Sequence, residues 1–227
     1  MKLVGRAFAT RLARRAAKKM NVAAGEARPH QLHLWAELST SENQYRIPLK
    51  DEDQRRIAPG VGRGLLDRDA FLASAIGLGL VPVPIINGEK FFTSAAPVWW
   101  PDPNVFNEAA GTVNLSEAAA LEAVYWGTHS LKTNTGVRID KNPNLSLRTV
   151  QDTQASANTA NMQTGLELEE IGAIIRFSGG DENEIIIDLN CKDKTHIAGT
   201  AARANYLLVV LDGAIVKGAT NKAYLGR

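Results

Sequence analysis

At 227 residues, 44% apolar and 22% charged, the chain fits one large domain, or one domain plus an arm, with enough apolar content for a core. The net charge of +2 conceals two opposed parts: residues 1–28 carry eight basic residues against Glu26 and are +7, which leaves residues 29–227 at −5 (18 basic, 23 acidic). A single cysteine, Cys191, excludes an intramolecular disulfide and a thiolate zinc site, and no run of 18 apolar residues exists to span a bilayer as a helix.

The arm reads as an amphipathic helix. Val4, Phe8, Leu12, Ala16 and Met20 recur every four residues, Leu3 and Ala7 widen that face, and Gly25 and Pro29 supply stop signals. Most basic residues fall off the stripe. Arg6, Arg11, Arg14, Arg15, Lys18 and Lys19 are the candidates for contact with an anion, either nucleic acid or a membrane surface. Val4, Phe8 and Leu12 are the candidates for docking on an apolar surface, a membrane or a protein groove. The segment lacks the apolar core of a secretory signal; it is Arg-rich and acid-poor like a transit peptide, but poor in Ser.

Beyond Pro29 the pattern changes to short β-like runs. Residues Gln31 to Leu38 alternate, with Leu32, Leu34, Ala36 and Leu38 to one side, and Tyr45 to Leu49 alternate as well. Lys50 to Arg56 reads as a charged connection, and Pro59 to Gly64 as a Gly-rich loop. Asp67 is placed to cap a short apolar helix running to Leu80, weakened by Gly77 and Gly79, before Pro82 and Pro84 impose an extended path. Asn87-Gly88 is the strongest hairpin signal in the chain. Trp99, Trp100 and Phe106 sit in a Pro-punctuated loop; large rings there are candidates for a subunit interface, since they bury much area at small entropic cost.

Ser116 to Trp126 is the best internal helix. Strands are then expected at 129–132, 137–140, 145–150, 166–170, 173–177, 184–189 and 206–216, with turns at Asn134-Thr135-Gly136 and Ser178–Asp181. Asp212-Gly213 reads as a tight hairpin or a bulge inside the last run. Many short strands with one internal helix predict a mainly β protein: a jelly-roll-like β-sandwich body (29–227) behind a basic helical arm (1–28).

Catalytic chemistry finds little support, and the chain is not read as an enzyme. His30 and His33 straddle a strand start, where positions three apart point to opposite faces, so no metal site is assigned. Cys191 and His196 lack an orienting or oxyanion motif. The Gly60–Gly64 run lacks the Lys-Ser/Thr of a phosphate-binding loop, and no cofactor is implied. The acidic positions Asp51, Glu52, Asp53, Glu167, Glu169 and Glu170 read as solvated charge.

Three phrases, Leu66-Asp67-Arg68-Asp69-Ala70-Phe71, Thr133-Asn134-Thr135-Gly136-Val137-Arg138 and Tyr206-Leu207-Leu208-Val209-Val210-Leu211-Asp212-Gly213, together with the β body and basic arm, resemble the capsid proteins of tailless bacteriophages, which are built on jelly rolls. The resemblance implies a self-assembling structural protein of the virion, assembled in the host cytoplasm. It would contact copies of itself and other virion proteins, its arm facing the genome or an internal membrane. The alternative is a β-sandwich binding module that uses the arm to hold nucleic acid or anionic lipid without building a shell.

Overall fold

The structure, a computed structural model, describes residues 26–95, 97–98, 115–147, 168–190 and 194–219, together with Arg15, Ala17 and Lys18 of the arm. The described chain is mainly β. In order it comprises β1 (Ala27–Glu37), β2 (Gln44–Pro48), α1 (Asp51–Ile57), β3 (Ala70–Ile86), β4 (Glu89–Lys90), α2 (Leu115–Tyr125), β5 (Thr128–Thr133), β6 (Gly136–Pro143), β7 (Glu169–Ser178), β8 (Glu184–Asp188), β9 (Gly199–Thr200) and β10 (Arg203–Val216). These strands make two antiparallel sheets. The large one runs β1-β10-β3, with β7 and the short β4 on β3 and β9 on β10; the small one runs β2-β8-β5-β6.

The pairings are nested. With the two-residue strands β4 and β9 set aside, β1 pairs β10, β2 pairs β8, β3 pairs β7 and β5 pairs β6, outermost with outermost down to the central hairpin. Two further pairings, β10 with β3 and β8 with β5, join these ladders side by side into the sheets.

The core lies between the sheets. Leu32, Leu34 and Ala36 of β1, Ile47 of β2, Leu78 and Leu80 of β3, Ile185 and Ile187 of β8, and Leu207, Val209 and Leu211 of β10 all belong to it. Alternation places these side chains on one face of each strand. Helix α2 adds Leu121, Val124 and Tyr125, and the buried Tyr125 hydroxyl donates to the Leu78 carbonyl at 3.3 Å. Buried Glu117 anchors α2 to β10: it pairs with the Arg203 guanidinium through both carboxylate oxygens, and Asn205 Nδ2 donates to it at 2.7 Å.

Three expected elements differ. The segment expected as a helix from Asp67 to Leu80 is the first part of β3, a 17-residue strand buried on both faces, so it shows no alternation. Residues expected to be a charged connection form α1, whose acidic first turn and basic last turn suit the helix dipole and whose Asp51–Arg55 pair closes at 2.6 Å. The strand expected at 145–150 is instead a 3-10 turn over Asn144–Leu147, with residues 148–150 outside the described residues.

Other signals hold. Asn87 and Gly88 both have positive φ (53° and 83°) and join β3 to β4. At Asp212-Gly213 β10 continues unbroken and the ladder to β3 slips: Asp212 pairs Ala75 and Gly213 pairs Ala73, leaving Ser74 as the extra residue. Ser74 Oγ donates to the Asp212 carbonyl at 3.2 Å. A Cβ on Gly213 would stand 2.0 Å from the Leu72 carbonyl oxygen, so only glycine permits this approach.

Candidate interaction surfaces

The face of the large sheet turned away from the core is also apolar, in two patches. At one end Ala27, Ala70, Leu72, Ala214, Val216 and Ala219 cluster, and Ala17 of the arm packs into them at 2% exposure. Arg15 and Lys18, on either side of Ala17, are exposed. These two are the only predicted anion contacts among the described residues. Arg6, Arg11, Arg14, Lys19, Val4, Phe8, Leu12, Trp99, Trp100 and Phe106 lie outside them.

At the other end Trp35, Val81, Val83, Tyr206, Leu208 and Val210 form the second patch, covered by Ala58 after α1 and by Phe92. Trp35, Phe92 and Tyr206 meet edge to face, with centroids 5.2–6.2 Å apart. The same chain segment closes the free edge of β1. His33 and Arg63 exchange backbone hydrogen bonds at 2.9 Å, and the fully buried Gln54 accepts from the Trp35 amide at 2.6 Å. At His33 and Trp35 the edge is therefore occupied and cannot pair with another strand.

That closure also explains the Gly-rich run. The amides of Val61, Gly62, Arg63, Gly64 and Leu65 donate to Ala58, Ala58, His33, Asp51 and Leu49. They are turned inward to the protein, whereas a phosphate cradle needs them free.

Beside the second patch lies a cleft of about 810 Å³, lined among others by Glu37, Tyr45, Arg46, Phe91, Lys90 and Tyr206. Lys90 Nζ donates to both Glu37 oxygens at 2.7 and 2.6 Å and to the Tyr206 hydroxyl at 2.9 Å; that hydroxyl donates to Glu37 at 2.9 Å. Burial, and the Glu37 carboxylate beside it, push the Tyr206 phenol up to about 12. Glu37 lifts the Lys90 ammonium above its ordinary value against the opposing effect of desolvation. The three groups neutralise one another, and the cluster pins the β3–β4 hairpin to the end of β1.

No protein-family model, curated protein or solved structure matches this chain.

The histidines are placed by packing. His30 sets its ring edge on Phe71 at 6.5 Å, and its pKa is lowered by burial and then by Arg63. Burial and Arg63 likewise lower His33. Buried His129 shares a hydrogen bond with Asn144 at 3.1 Å. Among the described residues no three metal-ligating side chains converge, and no helix is long and apolar enough to cross a membrane. His196, Glu169 and Glu170 are exposed; Cys191 and Glu167 lie outside the described residues. Sequence reasoning missed the exposed apolar side chains at element ends: Trp126 after α2 (56% exposed), Ile86 before the β3–β4 turn (53%) and Val137 after the β5–β6 turn (55%). Only their position next to turn signals marks them in the sequence.

Proposed function

We propose that this chain is a self-assembling structural protein, a bacteriophage capsid subunit with a jelly-roll body and an arm that meets an anionic surface inside the shell. The nested pairing carries the reading. Eight strands paired first with last, second with next-to-last and so on, in two antiparallel sheets, support the reading of a jelly roll, a fold of viral shells, lectins and cupins. The fold alone does not choose among these uses; the +7 arm on an acidic body favours the shell. Trp126, Ile86 and Val137 supply apolar contacts for neighbouring copies.

Electron microscopy and size-exclusion chromatography of the purified chain test this. Particles or large symmetric oligomers are expected, and a strictly monomeric protein at high concentration overturns the reading in favour of a small binding module. Removing residues 1–25, which stops short of β1, separates arm from body: a module would lose anion binding and stay small.

A further inference from the structure

We propose that the cleft beside the second patch binds an extended basic peptide segment, which pairs its backbone with Glu37 at an open position on the edge of β1 and sets its cations against Glu42 and Glu89. The site does not depend on whether the chain builds a shell.

The Leu38 amide donates to the Asn205 carbonyl at 2.9 Å, so the even-numbered residues at this end of β1 turn their backbone toward β10. The odd-numbered ones turn to the opposite side, where two are already taken: His33 exchanges hydrogen bonds with Arg63, and the Trp35 amide donates to Gln54. Just past the strand the Tyr45 hydroxyl accepts from the Ser39 amide at 2.9 Å and donates to the Ser39 carbonyl at 3.1 Å. Glu37 lies between these closures and lines the cleft. Its N–H and C=O point to the open side and meet no described partner there. A peptide group entering through the cleft can donate to that carbonyl and accept from that N–H, one rung of an antiparallel ladder.

Charge sets the class of peptide. Three cations line the cleft, and each already has a carboxylate. Arg46 pairs with Glu184 at 3.0 Å, Arg56 pairs with Glu52, and Lys90 gives all three of its protons to Glu37 and the Tyr206 hydroxyl. Glu42 and Glu89, both exposed on the cleft wall, enter no ion pair with a described residue. The uncompensated charge of the cleft is therefore negative. It attracts lysine or arginine and repels an acidic segment. Phe91, 36% exposed, adds an apolar contact. A segment in which cations alternate with apolar residues supplies partners for both.

The test uses the full chain and a fluorescent hexapeptide of alternating lysine and valine with blocked ends, read by anisotropy. Saturable binding is expected. The Glu37 amide should gain protection from exchange, while the Trp35 amide, already bound to Gln54, should not change. E42Q/E89Q should weaken binding about fivefold, since each exposed ion pair contributes modestly. Glu182→Gln, which removes an exposed carboxylate outside the cleft, should leave binding as it was. All three side chains are exposed, so these variants should fold like the parent, which their urea midpoints check. The same peptide methylated on its backbone nitrogens keeps its charge, loses its donors, and should bind roughly tenfold more weakly.

Equal binding by a peptide with glutamate in place of lysine, or an equal loss with Glu182→Gln, overturns the charge assignment. Equal binding by the methylated peptide, or an unchanged Glu37 amide, overturns the backbone pairing. If the lysine peptide does not saturate by ~1 mM, the site itself is overturned.

Discussion

Gln54 is a single side chain on which the closure of the large sheet depends. It is fully buried in α1; its Oε1 accepts from the Trp35 amide at 2.6 Å, and its Nε2 donates to the Pro48 carbonyl at 2.8 Å. Gln54→Leu keeps the volume and removes both partners. The Trp35 amide is then orphaned in the interior, which costs ~1–3 kcal/mol, while the half-buried Pro48 carbonyl regains some water and adds about 1 kcal/mol. Leucine recovers part of this as an apolar side chain, so a net loss of ~2–3 kcal/mol is expected. Urea unfolding measures the loss, and amide exchange at Trp35 locates it. Arg56→Ala, in an exposed pair on the same helix, should change stability by less than ~0.5 kcal/mol. If Gln54→Leu matches that control, or destabilises without faster exchange at Trp35, the bond does not hold the edge.

Gly213→Ala should destabilise by ~2 kcal/mol or more, because its Cβ meets the Leu72 carbonyl and the Phe71 ring inside a rigid ladder; Gly180→Ala, whose Cβ would approach only Asp67 at 3.5 Å, should be near neutral by the same urea assay. The Tyr206 phenol, raised from 10.0 to about 12, holds its proton more tightly folded than unfolded. Its contribution is therefore complete below pH 10 and is lost as pH rises through 12, by up to ~2 kcal/mol. Subtracting the stability–pH curve of Tyr206→Phe from that of the parent isolates this slope from the other tyrosines, and a flat difference between pH 10 and 12 would contradict the burial of this phenol beside Glu37.

The small sheet was legible, and so were β1 and β10 of the large one; β3 was not, and burial is the reason. β8 reads Glu184-Ile185-Ile186-Ile187-Asp188, with Ile185 and Ile187 buried and the flanking acids turned to polar partners, Arg46 and Lys132 at 3.0 Å and Gln44 at 2.7 Å. One wet face preserves alternation. β3 and β10 are covered on both faces, so Ala70–Leu80 carries no period that separates strand from helix. α1 was legible in principle, since Asp51-Glu52-Asp53 ahead of Arg55-Arg56 is the charge order of a short helix. Gln54 was not. A lone glutamine among charges gives no sign that it will be buried against a strand 19 residues earlier. Ala17 was hidden for a similar reason: the eye follows Val4, Phe8 and Leu12, while a seat made of alanine has almost no hydrophobic signal.

The two covers of the large sheet differ in kind. Over Trp35, Val81 and Val83 the cover is continuous chain, from α1 and the Phe92 turn, and it is tied down by Gln54 and by the Lys90–Glu37–Tyr206 cluster. Over Leu72, Ala214 and Val216 the described cover from the arm is Ala17, held by apolar contact with small residues. An alanine buries little area, so at ~25 cal/mol per Å² each such contact stabilises weakly. The first cover should therefore open only with global unfolding, and the second well below it.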